Sequence, residues 1–145
     1  MAPALFWTLL IIVALYAMVR GNGEQKLAAT ACVLAAILTV ALVSPLSERY
    51  GRVEVGVALV DMALLAVFVG IALRSQRFWP LWIAGLHLTA SLSHLMKASR
   101  LDLLPQAYAA AEKFWSYPIL LIIAVAVWRF RKRIGESLES DLSTV

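Results

Sequence analysis

Few residues in this chain are equipped for chemistry, and those few share a register. Asp61 is an acid set inside the apolar run from Val53 to Leu73, VEVGVALVDMALLAVFVGIAL. The chain's two histidines, His87 and His94, lie in the next apolar run with Ser91 between them. An ionisable side chain is costly in hydrocarbon and is by default a functional candidate there. Asp61 stands thirteen residues before Arg74, and His87 ten residues after Arg77. At about 1.5 Å per helical residue the two differ in depth by only about 5 Å. The charged joint Arg74-Ser-Gln-Arg77 is so short that the runs on either side of it must be antiparallel neighbours. An Asp61–His87 hydrogen bond or ion pair is therefore available if the two faces meet.

Three uses of this set stay open. In the first, Asp61, His87 and His94 satisfy one another and fix helix register, each bond contributing roughly 0.6 to 2 kcal/mol in a membrane. In the second, a carboxylate and an imidazole along one path relay protons or ions. In the third, His87 and His94 ligate a haem or metal. Seven residues along one helix separate the two rings by roughly 10 Å, too far for both to be axial ligands of one haem within one chain. Clustered Glu and His of the kind that hold a metal in a bundle are missing from this span. No Gly-x-Ser-x-Gly elbow and no phosphate-cradling glycine loop occurs. The chain is thus expected to be non-catalytic and without a cofactor.

The elements that must position these residues are set by hydrophobicity. Of 145 residues, 62% are hydrophobic and 15% charged, and the mean hydropathy is +0.83. Soluble domains do not reach such values. The apolar residues fall into runs near the ~20 residues that cross a bilayer as a helix. The net charge of +4 does not point to nucleic acid, because the Lys and Arg residues sit at the ends of apolar runs, where they set topology. The lone cysteine, Cys32, lies within an apolar run and reads as a buried structural thiol.

The pattern predicts an all-α membrane bundle of five transmembrane helices, at Pro3–Val19, Leu27–Ser44, Val53–Leu73, Phe78–Met96 and Phe114–Phe130. The first run has no basic residue before it and no small-residue cleavage site after it, so it is expected to be a mature span. Gly21-Asn22-Gly23 and Pro45 read as breaks. Pro105 and the alanines after it predict a short interfacial helix leading into the last span. Pro118 should kink that span. Residues 1–134 form the bundle, and 135–145, rich in Ser, Glu and Asp, are expected to be a flexible cytoplasmic tail.

Orientation follows from the excess of Lys and Arg on cytoplasmic flanks. With the N-terminus outside, Arg20, Lys26, Arg74, Arg77, Arg129, Arg131, Lys132 and Arg133 fall on the cytoplasmic side. Arg49, Arg52, Lys97, Arg100 and Lys113 fall on the other. Phe6, Trp7, Trp79, Trp82, Trp115, Tyr117 and Trp128 read as interfacial belt residues. On the fourth run Ala84, His87, Ser91, His94 and Ala98 form one small and polar stripe, while Leu81, Leu88, Leu92 and Leu95 form an apolar face. Ala66 and Gly70 on the third run, and Ala31, Ala35 and Thr39 on the second, suit close helix approach.

The runs Arg77-Phe-Trp-Pro-Leu-Trp-Ile-Ala-Gly85, His94-Leu95, Phe114-Trp-Ser-Tyr-Pro118 and Trp128-Arg-Phe-Arg-Lys-Arg133 are similar to a group of small bacterial inner-membrane proteins without assigned function. The resemblance covers roughly the second half of the chain and implies a bacterial inner-membrane location; it supplies no catalytic residue, ligand or partner. The composite expectation is a structural or accessory subunit embedded in lipid, alongside other membrane subunits or copies of itself. The alternatives are a proton-coupled transporter or channel using Asp61 and His87, and a haem-binding subunit.

Overall fold

The computed structural model describes residues 3–43, 50–99 and 105–143, with side chains described for 4–42, 55–92 and 114–143. Five helices follow one another: α1 (Pro3–Arg20), α2 (Gly23–Val43), α3 (Tyr50–Arg74), α4 (Trp79–Ser99) and α5 (Pro105–Ser143). Each packs on its neighbour in sequence, α5 closes the ring against α1, and α2 also touches α5 across the middle.

The breaks have local causes. The Gly21 amide donates to Ala17 O at 2.8 Å, and a Cβ at Gly21 would stand 2.5 Å from that oxygen. Asn22 then caps α2. Its Oδ1 accepts from the Gln25 amide at 3.2 Å while Gln25 Oε1 accepts from the Asn22 amide at 2.9 Å, a reciprocal capping box. Glu24 in the first turn of α2, Arg20 in the last of α1 and Arg74 in the last of α3 complement the helix dipoles. Ser75 Oγ donates to Glu24 Oε2 at 2.9 Å, tying the α3–α4 connection to the start of α2. Pro80 lies in the first turn of α4, where its missing N–H costs nothing.

Two expectations are corrected. The stretch after Pro105 is no separate interfacial helix but the beginning of α5, a single helix of 39 residues with Pro118 inside it. The alanines there are strong helix formers, and nothing between them and the apolar run interrupts the ladder. At the other end, residues 135–143 are helical. Ser, Glu and Leu carry a helix onward from Trp128, Gly135 alone does not stop it, and Lys132 and Glu136 lie 3.8 Å apart at i and i+4.

Among the described residues, three helices are long and apolar enough to cross a membrane, Gly23–Leu42, Val55–Arg74 and Phe114–Ser143, and Ala4–Arg20 is a shorter apolar helix. The outer surface suits that setting: Leu15, Val19, Leu59, Leu73 and Leu121 are all mostly exposed. Facing water, so much apolar surface would promote association. Facing acyl chains, it costs nothing.

Packing is uneven along the bundle. The closest packed part lies toward the end of α1 and the start of α2, where Val13, Ala17, Ala28, Phe68, Ile83, Ile123 and Val127 are buried. Among the described residues, the half that holds the start of α1 surrounds a hollow.

Candidate ligand cavity

The hollow is a cavity of about 330 Å³ with walls from all five helices. α1 supplies Phe6, Trp7 and Leu10 and α2 supplies residues between Cys32 and Val40; α3 contributes Asp61 and Phe68, α4 His87 and Ala90, and α5 Trp115 and Tyr117. Helix pitch explains the selection. On α2, Cys32, Ala36 and Thr39 recur at steps of four and three, as do Val57, Asp61, Leu64 and Phe68 on α3, each set giving one inward stripe. The small side chains Ala35, Ala36 and Ala90 leave the space that the aromatic residues surround.

Of the stripe expected on α4, the side chains of Ala84, His87 and Ser91 are among the described residues. Ala84, His87 and Ser91 are buried, whereas Leu81, Leu88 and Leu92 are about half exposed. His87 Nε2 lies 3.0 Å from the backbone oxygen of Asp61. A carbonyl oxygen only accepts, so Nε2 carries the proton and donates. The ring also stands edge-on to Phe68, with centroids 5.4 Å apart and planes at 81°. The structure therefore brings Asp61 and His87 together, and the described bond between them runs to the main chain of α3. Ser91 Oγ is buried and has no hydrogen-bond partner among the described residues. The side chain of His94 lies outside the described residues.

Small residues act differently from the sequence expectation. Ala66 is exposed and a Cβ on Gly70 would meet nothing within 4 Å, because this face of α3 points away from the bundle. The close approach on α3 is instead at Gly56, where a Cβ would stand 3.3 Å from Leu42 Cδ1. Ala35 and Thr39 of α2 line the cavity rather than a helix contact.

Sequence reading placed Phe6, Trp7, Trp115 and Tyr117 in interfacial belts, and gave Phe68 no role. All five line the cavity. Phe6 and Tyr117 meet edge to face at 6.1 Å and 86°, an arrangement favoured by their ring quadrupoles. The available signal was level: the start of α1 and the early turns of the apolar part of α5 fall at the same end of the bundle. By contrast, Trp82 and Trp128 are mostly exposed.

The cavity wall is mainly apolar, with Thr39, Asp61, His87, Ser116 and Tyr117 among its polar members, the usual character of a small-molecule site. Its volume is at the lower end of the ~300–1,000 Å³ such sites span. Cys32 is a free, buried thiol in the same wall. Among the described residues no group of three or more His, Cys, Asp and Glu could hold a metal ion. Compared with protein-family models, with curated proteins and with solved structures, the chain finds no match.

Proposed function

We propose that this chain is a non-catalytic integral membrane protein, a small accessory subunit of a larger membrane assembly, and that it works by holding a small, largely apolar molecule in its central cavity. The observation that carries the reading is the cavity itself, about 330 Å³ with contributions from every helix. A bundle built only to pack would bring those walls together, since each alanine on the rim permits closer approach. The apolar outer surface and the Lys and Arg distribution support five spans with the N-terminus outside and the C-terminus cytoplasmic. The resemblance of the second half to small bacterial inner-membrane proteins supports that membrane as the location. Ala66 and Gly70, turned outward on α3, give partner helices or a second copy a surface for close approach.

The test is binding of a neutral apolar probe, tert-butylbenzene, to the full chain in nanodiscs, measured against empty nanodiscs. Saturable binding that Ala36→Phe abolishes is expected. Binding no greater than that of empty discs would remove the cavity as the functional site. Native mass spectrometry that gave only a lone monomer would remove the accessory-subunit part.

A second reading, proton-coupled transport through Asp61 and His87, draws on their sharing one cavity wall. Its test is proton flux into liposomes, which Asp61→Asn should abolish; no flux with the parent chain sinks it. A haem ligated through His87 Nε2 would require the ring to give up its bond to Asp61 O.

A further inference from the structure

Resting on the accessory-subunit reading and not on the cavity, we propose that the projecting end of α5 is a docking helix for another protein, one that presents an apolar strip bordered on both sides by Lys and Arg. The helix leaves the bundle at Phe130, whose ring centroid lies 5.3 Å from the Arg77 guanidinium. From Arg131 to Ser143 every residue is exposed. At about 1.5 Å per residue this stretch carries the helix about 20 Å beyond the bundle. A helix of that length is marginal in water by itself, but this one continues from an anchored helix and needs no nucleus of its own.

Its pattern is not that of a solvated end. The large apolar residues of the stretch are Ile134, Leu138 and Leu142, each four positions from the next and all exposed. That spacing lines them up as one ridge, the feature that seats between the side chains of a partner element. At about 100° per residue, Glu139 and Asp141 fall on opposite sides of Leu138. Charge is also divided along the axis. Arg129, Arg131, Lys132 and Arg133 stand at the base, whereas Gly135 to Ser143 holds Glu136, Glu139 and Asp141 and no Lys or Arg. An apolar ridge with an acidic border is complementary to an apolar strip with a basic one. The same border disfavours two other occupants. In the membrane setting proposed above, two copies would run parallel and set acid beside acid, and an anionic bilayer surface would repel the carboxylates.

The probe is a synthetic helical peptide with Leu at four-residue spacing and Lys elsewhere, titrated onto the full chain in phosphatidylcholine nanodiscs with empty discs subtracted; the control peptide carries Glu in place of Lys. The Lys peptide is expected to bind saturably, at least about tenfold more tightly than the Glu peptide, and less tightly as salt rises. Leu138→Gln and Glu139→Lys should each weaken it about tenfold, and Ser140→Gln, on the opposite face, by less than about twofold. Gln and Lys are strong helix formers, and unchanged far-ultraviolet circular dichroism shows that the helix persists in each variant. Photo-cross-linking from position 138 of the full chain in native membranes then identifies the natural partner, with the cross-linked segment expected to be apolar and bordered by Lys or Arg. Equal binding of the two peptides, no binding of the Lys peptide, or cross-links confined to lipid or to a second copy would overturn the docking inference. Any of these leaves standing an assembly formed through the other helices, which native mass spectrometry reads separately.

Discussion

The partner of His87 can be identified energetically by a double-mutant cycle between His87→Phe and Asp61→Asn. Phe keeps a ring of similar size in the same place, so the edge-on contact with Phe68 at 5.4 Å survives while the 3.0 Å bond to Asp61 O is lost. A hydrogen bond between membrane helices contributes about 0.6 kcal/mol on average and up to about 1.7. The carbonyl that loses its donor still sits in the helical ladder of α3, so no acceptor is orphaned. His87→Phe is therefore expected to cost about 0.5–1.5 kcal/mol, whereas His87→Ala, which also empties a site only 7% exposed, should cost about 3 kcal/mol. Asp61→Asn changes the side chain and leaves the main-chain oxygen in place. The cost of His87→Phe should then be the same in both backgrounds, with a coupling energy below about 0.5 kcal/mol. Unfolding by added SDS in mixed micelles, followed by far-ultraviolet circular dichroism and tryptophan fluorescence, measures all four corners. A coupling above about 1 kcal/mol would mean that the imidazole pairs with the carboxylate, and the assignment of its partner to the α3 main chain would fail.

Other substitutions test other joints. Asn22→Ala removes the cap that accepts from the Gln25 amide and should cost about 1 kcal/mol in the same titration. Gly21→Ala places a Cβ 2.5 Å from the Ala17 oxygen; main chain has to move, and a cost of about 1–3 kcal/mol is expected. Gly70→Ala meets nothing within 4 Å and gains up to about 1 kcal/mol from helix propensity, but it should weaken recovery of any assembly whose partner helix packs there, read by native mass spectrometry. Cys32, the sole cysteine, is a reporter in the cavity wall. At about ten times its dissociation constant a cavity ligand should slow alkylation of Cys32 by a small uncharged reagent about tenfold, and an unchanged rate would place the ligand elsewhere.

The helices were legible because each is an apolar run closed by charge or by a break with a local cause, as at Gly21-Asn22 and Arg74 to Arg77. The inward stripe of α4 was legible too, since Ala84, His87 and Ser91 recur at helical spacing and differ in kind from the leucines beside them. The ends of α5 were not. Alanine-rich sequence before Phe114 and polar sequence after Arg133 both look like departures from a span, yet a helix needs only an unbroken ladder, and neither stretch holds a residue that breaks it. The role of the small residues was hidden for another reason: Ala66 and Gly70 share a face, but only rotation about the α3 axis decides what that face meets. The same limit hid the aromatic wall. An interfacial Trp and a cavity-lining Trp near a helix start have the same sequence signature, and Trp82 and Trp115 differ only in which way their helices turn.

In the proposed reading, stability and binding occupy opposite halves of the bundle. Where α1 meets α2, two helices are joined by a two-residue break, the cap at Asn22 fixes one end and the Ser75–Glu24 bond ties in a third and fourth helix. Arg77 lies over the Phe130 ring at 5.3 Å and brings in α5. All five helices are thus anchored at one end, and the buried residues nearest that end are the most tightly enclosed. The other half is free of that demand. Its walls carry small residues where a core would carry large ones, and its aromatic rings stand around a space instead of filling it. A bundle clamped at one end can keep a cavity at the other, because the helix separation there is set by the anchored half and by the rings themselves. In the membrane setting proposed for the chain, this arrangement would let Asp61 sit at a depth where an acid is costly, with the bond that His87 makes to its main chain holding the register.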